Sequence, residues 1–142
     1  TRSKKNLELC FKHFSQSETH NNHVITINNR TINTIKHNNE TIWFDFNDLC
    51  QPPRSQDDYL DLCKKYNTII VSNVPHIKKH ENNKIILFIN LIDVLYDNRT
   101  RIVISAQTTI DTIYTEGRKT FDFNRTRSRL IEMNAPEYFS VD

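Results

Sequence analysis

The chain has 142 residues and a formal net charge of +2, about one ordinary domain by length. So small a net charge points to neither a nucleic-acid nor a membrane partner, and any basic function must be local. No apolar run has the length that a membrane span needs, and no signal peptide is read at the start.

The composition leans toward Asn, Ile and Lys and holds one glycine, Gly117. The Asn and Ile excess runs through apolar and polar patterns alike, as nucleotide bias in the coding sequence would make it. Four Asn-x-Thr matches, at Asn29, Asn39, Asn98 and Asn124, therefore read as chance rather than glycosylation. Cys10, Cys50 and Cys63 are odd in number and widely spaced. They read as small apolar side chains of a reducing compartment. The chain opens on Thr1 and its single methionine is Met133, so residues upstream are expected.

Leu7, Cys10, Phe11 and Phe14 stand at helical spacing in residues 4–14, and the polar stretch after them reads as a loop. Three short runs follow, HVITI, RTINTI and ETIWFDF, separated by Asn-rich turns. Their β-branched and aromatic content predicts a small antiparallel meander. In the third run Ile42, Phe44 and Phe46 share one face, with Trp43 and Asp45 on the other. Pro52-Pro53 breaks the chain, and Ser55 with Asp58 three residues on predicts a capped helix start. Tyr59, Leu62, Cys63 and Tyr66 form one stripe of that helix. NTIIVSNVP, closed by Pro75, has the pattern of a buried strand.

Residues 82–97 predict the most apolar helix of the chain, with apolar side chains around most of its girth. Such a helix needs cover on more than one side, and upstream residues are the natural cover. TRIVISA, 100–106, is a second buried strand, so strand, helix and strand predict a βαβ unit with parallel strands. TTIDTIYTE predicts a short helix stopped by Gly117 as a left-handed C-cap. No low-complexity linker splits the chain.

The segment TFDFNRTRSRLIEM then places Arg125, Arg127 and Arg129 within five residues. If Asn124 caps the following helix, all three cations fall in about its first turn. That end of a helix prefers anions, by roughly 0.3–1 kcal/mol per charge. A nearby anion would resolve the conflict.

From WFDFNDLCQPPRSQDDYLDL, through YNTIIVSNVP, FINLIDVLYDNRTRIVISA and FNRTRSRLIEM, to EYF, the sequence resembles the C-terminal portion of the ZapE family of P-loop ATPases. That family includes bacterial cell-division ATPases and their mitochondrial relatives. The likeness runs from Ile42 to Phe139; residues 1–41 fit loosely, and Asn134 and Ala135 depart from the family's usual ending. It implies an α/β fold, a partial P-loop ATPase-type domain: a helix and small antiparallel meander over 1–50, then a βαβ unit and a C-terminal arginine-bearing helix over 51–142.

The resemblance also implies ATP and magnesium for the complete protein. The phosphate-cradling glycine loop, the Walker B acidic pair and the sensor strand belong upstream in that family. The chain alone is therefore expected to bind no cofactor or metal and to hydrolyse no ATP. Arg125 and Arg129 match the family pattern and Arg127 falls at a variable position; the matched pair is implied to contact nucleotide phosphate. The implied partners are the missing N-terminal ATPase core, neighbouring subunits and the division-ring machinery. The implied location is the cytoplasm, peripheral to the inner membrane at the division site, with no nucleic acid expected.

Plainer readings compete with these. Arg125 and Arg129 could be an ion-paired helix face, with Asp122 or Glu132 as partner. Arg54 and Ser55 offer a partner contact, or a local arrangement with Asp57 and Asp58. His76 and His80 have the spacing of helical metal ligands but no cysteine or carboxylate cluster beside them. They read as loop histidines, as do His20 and His23. Asp93, a lone acid in an apolar helix, is expected to meet a capping or backbone partner or the least buried edge. Tyr59, Tyr66, Tyr96, Tyr114 and Tyr138 could stack on bases but read as core rim. Arg99 and Arg101 could touch a phosphate backbone, a case weakened by Asp97. The alternative functions are a non-catalytic protein-interaction module and, less favoured, a small nucleic-acid-binding domain.

Overall fold

Helix α1 (Arg2–His13) precedes a hairpin of β1 (Val24–Ile27) and β2 (Arg30–Asn33) in the computed structural model, which describes residues 2–13 and 23–133. Phe14, His20 and Tyr138 lie outside the described residues. The hairpin turns on Asn28 and Asn29, both at positive φ, 51° and 66°. Asparagine tolerates that region better than most residues and suits a two-residue turn.

The third run does not extend this hairpin into a meander. β4 (Thr41–Asp45) pairs antiparallel with the short β3 (Lys36–His37) on one edge and parallel with β5 (Thr68–Val74) on the other. The small antiparallel unit is thus two strands, and β4 lies inside a four-stranded sheet of order β3-β4-β5-β6. Burial explains the difference. Thr41, Ile42, Trp43 and Phe44 are all buried, which suits a strand covered on both faces. The hairpin strands bury one residue each, Ile27 and Ile32.

β5, helix α4 (Asn82–Asp97) and β6 (Arg101–Ala106) form the βαβ unit, with Thr68 level with Arg101 and Ile70 with Val103. Alternation sorts the sheet's side chains. Ile42, Phe44, Ile69, Val71 and Ile102 enter the main core, while Trp43 and Ile70 pack with Leu7 and Phe11 of α1. Helices therefore cover both faces, as parallel strands require. The short α2 (Phe46–Leu49) and α3 (Gln56–Lys65) follow β4, and Ser55 and Asp58 form the capping box at the start of α3.

α4 buries Ile85, Leu87, Phe88, Ile89, Leu91, Ile92 and Leu95, each worth roughly 1.5–3 kcal/mol on full burial. Its cover comes from within the chain. α3 and the last helix, α5 (Thr120–Met133), both pack against it, and among its large apolar side chains Ile86 is left exposed.

Two expectations about the last third need correction. TTIDTIYTE makes a single 3₁₀ turn, Ile110–Thr112, rather than a helix. Gly117, at φ 137°, lies away from the left-handed helical well of a C-cap. Secondly, Asn124 does not cap α5. The helix starts four residues earlier, at Thr120, and the Phe123 N–H already donates to Lys119 O at 2.8 Å. Phe123 is drawn inward, buried edge-on against Tyr114 at 5.9 Å between centroids. Phe121, Asp122 and Phe123 lie in the first turn of α5.

Candidate functional site

Because α5 begins at Thr120, Arg125, Arg127 and Arg129 sit in its middle turns rather than at its N-terminus. The conflict with the helix dipole therefore does not arise. The buried stripe of α5 is Phe123, Thr126, Leu130 and Met133. At 100° per residue, Arg129 borders this stripe on one side, Arg127 on the other, and Arg125 lies further out. Their side-chain exposures follow this order: 25 %, 38 % and 56 %.

The partner of Arg125 and Arg129 is Asp93 on α4. Arg129 makes a short charge-assisted bond to Asp93 Oδ1, and Arg125 Nη2 reaches Asp93 Oδ2 at 3.5 Å. Neither expected acid takes this role. Asp122 lies 3.9 Å from Lys119 Nζ, and Glu132 accepts from the Tyr96 hydroxyl at 3.0 Å. The Arg129 guanidinium also lies over the Tyr96 ring, 4.7 Å from its centroid, a cation–π contact. The Glu132 carboxylate pushes the Tyr96 phenol upward from its ordinary range. Arg127 turns away to Asp111, at 2.9 Å in an exposed pair.

Sequence reasoning missed Asp93 as the organiser of this cluster. The available signal was its place among Ile86, Asn90 and Asp97, which fall along one edge of α4 at intervals of four, three and four. That edge faces α5. The groove there, about 180 Å³, is lined by Ile86, Ile89, Asn90, Asp93, Lys119, Asp122 and Arg125. A second groove, about 470 Å³, lies on the other side of Arg125 and is lined by Phe121, Asp122, Asn124, Arg125 and Ser128.

Two guanidiniums share the Asp93 carboxylate, Lys119 and Asp122 line the same groove, and Glu132 stands beside them on the Tyr96 hydroxyl. Asp93 is held between two cations rather than presented to a metal ion, and Gly117 is the sole glycine.

Arg54 and Ser55 are occupied within the chain. Arg54 donates to the carbonyls of Asp48 (2.7 Å) and Pro53 (3.2 Å), and Ser55 caps α3. The cation that meets Asp58 is Arg30, at 2.8 Å. His76 Nδ1 lies 2.7 Å from Thr112 O, and among the described residues no group of His, Cys, Asp and Glu is placed to hold a metal ion. Tyr59 and Tyr114 are buried, and burial raises the Tyr59 phenol far above its ordinary range. Neither ring is available for stacking on a base. Cys10, Cys50 and Cys63 are free thiols, and burial pushes Cys50 up to about 12. Among the described residues no helix is long and apolar enough to cross a membrane.

A mixed four-stranded sheet with a βαβ unit, covered by helices on both faces, defines an α/β module. The chain belongs to the AFG1-like ATPase family, whose sequence profile matches residues 1–142. It is 34 % identical over 118 residues to the cell division protein ZapE of Escherichia coli K12, covering 83 % of this chain and 32 % of that protein. It is 35 % identical over 85 residues to an uncharacterised protein of Schizosaccharomyces pombe, covering 60 % and 19 %. Lactation elevated protein 1 homolog B of Danio rerio is 32 % identical over 88 residues, covering 62 % and 18 %. The chain thus spans less than a third of the length of these curated relatives. No solved structure matches it.

Proposed function

We propose that the chain is the C-terminal part of a ZapE-like ATPase of cell division, contributing arginines to a phosphate site whose loop and magnesium ligands lie upstream. One observation carries the reading. Arg125 and Arg129, 32 and 36 residues from Asp93 along the chain, converge on its carboxylate, and the Arg125 side chain stays 56 % exposed at the groove. Pre-placed guanidiniums of this kind stabilise charge that develops on a transferring phosphoryl group. The missing ATPase core supplies ATP and magnesium binding, and the site functions in the cytoplasm, next to that core or to a neighbouring subunit. The alternative, a non-catalytic interaction module, draws on Phe121 and Ile131, which expose 86 % and 54 % of their surface on α5.

ATP turnover by the 142-residue chain, and by the same chain joined to its upstream sequence, tests the proposal. The short form should be inactive. In the long form Arg125→Ala and Arg129→Ala should slow hydrolysis steeply, by up to roughly 10³–10⁵ for an arginine on the transferring phosphate, and Arg127→Ala far less. Hydrolysis by the short form that survives both substitutions, or full rates in all three long-form variants, would refute it.

A further inference from the structure

α4 and α5 hold the two arginines unequally. Arg129 is gripped on two sides, by Asp93 Oδ1 at its edge and by the Tyr96 ring, 4.7 Å away, at its face. Tyr96 is itself tethered to Glu132 at 3.0 Å. Among the described residues, Arg125 has one ion-pair contact, with Asp93 Oδ2 at 3.5 Å, and its side chain is more than twice as exposed, 56 % against 25 %. A guanidinium carries five N–H donors in a planar fork. Arg129 has committed its edge and its face, whereas Arg125 lends one donor weakly and turns the rest outward.

Resting on the phosphate reading above, we infer that Asp93 is a positioning residue that locks Arg129 as a platform and leaves Arg125 to contact the phosphate. Without the carboxylate, two cations in adjacent turns of one helix would repel one another and splay apart. With it they lie side by side, and the looser one needs to give up only a long, solvent-screened contact to meet an anion. Asp93 is one-fifth exposed, so this exchange occurs where water can assist it. The division of roles follows from contact geometry: Arg129 borders the buried stripe of α5 and meets both Asp93 and Tyr96, whereas Arg125 lies further out.

The test is steady-state ATP hydrolysis by the complete protein that carries this chain, with kcat referred to the folded fraction and Tm measured in parallel. Arg125→Ala should lower kcat about 10³-fold or more, with KM little changed and Tm nearly that of the parent. A loss confined to the transition state reduces kcat and kcat/KM alike. Arg129→Ala and Asp93→Asn should lower kcat about 10²-fold, the scale of a small misplacement, and Tm by several degrees. Asp93→Glu, which keeps the charge, should recover part of both. Full activity in both arginine variants would overturn the phosphate reading and this inference with it. Slow arginine variants beside an Asp93→Asn protein of unaltered kcat would leave the phosphate reading standing and overturn the positioning role. A kcat lower in Arg129→Ala than in Arg125→Ala would overturn the assigned division.

Discussion

Asp58→Ala should release the β1–β2 hairpin from the rest of the molecule. Those two strands form their own sheet, separate from the four-stranded one, so tertiary contacts alone attach them. Asp58 is the larger polar part of that attachment, beside the Arg30 bond to Pro53 O at 3.2 Å. Its carboxylate, 1 % exposed, accepts from Asn28 Nδ2 at 2.8 Å, Arg30 Nη1 at 2.8 Å and the Ser55 N–H at 3.1 Å. Three charge-assisted bonds at about 1.5–3 kcal/mol each would overstate the loss. Arg30 is 43 % exposed and Asn28 lies at the surface, so both regain water in the variant and contribute about 0.5–1 kcal/mol each. The lost cap at α3 adds about 1 kcal/mol. The sum is about 2–3 kcal/mol, or roughly 5–12 °C in Tm for a chain of this size.

Asp58→Asn retains volume and one acceptor and should cost about half as much. Urea unfolding gives the total, and native-state hydrogen exchange locates it. Amides paired across the hairpin, such as those of Ile25 and Ile32, should lose protection well before those of β4 and β5. The reasoning fails if Asp58→Ala is within 0.5 kcal/mol of the parent (about the scatter of neutral surface changes), or if hairpin and sheet amides exchange together.

Gly117→Ala should destabilise by about 2–4 kcal/mol. A Cβ there would come within 2.0 Å of Tyr114 Oη, at a φ of 137°, and would break the hydroxyl's bond to the Lys119 N–H; a change below 0.5 kcal/mol in urea would contradict this. Cys50 should make stability fall in alkali. Burial raises its thiol from 9.0 to about 12, so the folded form stays protonated while the unfolded chain ionises. The stabilisation is complete below about pH 9 and is lost at about 1.4 kcal/mol per unit as pH rises toward 12. Between pH 8 and 10.5 the parent should lose about 2 kcal/mol more than Cys50→Ala, and equal losses in the two would rule the thiol out.

What the sequence determined by itself was local. The 82–97 helix, the Ser55–Asp58 capping box, the Asn28–Asn29 turn and the parallel βαβ unit are set by side-chain periodicity and turn chemistry over a few residues. Periodicity shows that a face is apolar but not which surface will cover it. Tertiary structure decided that β4 leaves the hairpin for β5, that α3 and α5 cover α4, and that Phe123 is buried against Tyr114 and so starts α5 at Thr120. The arginine site shows the limit most directly. Helical spacing put Arg125 and Arg129 near one face, but Asp122 and Glu132 were the acids within reach along the helix. Asp93 became their partner because packing α4 on α5 brought together residues 32 and 36 positions apart, and charge pairing depends on distance in space, which a linear pattern does not encode.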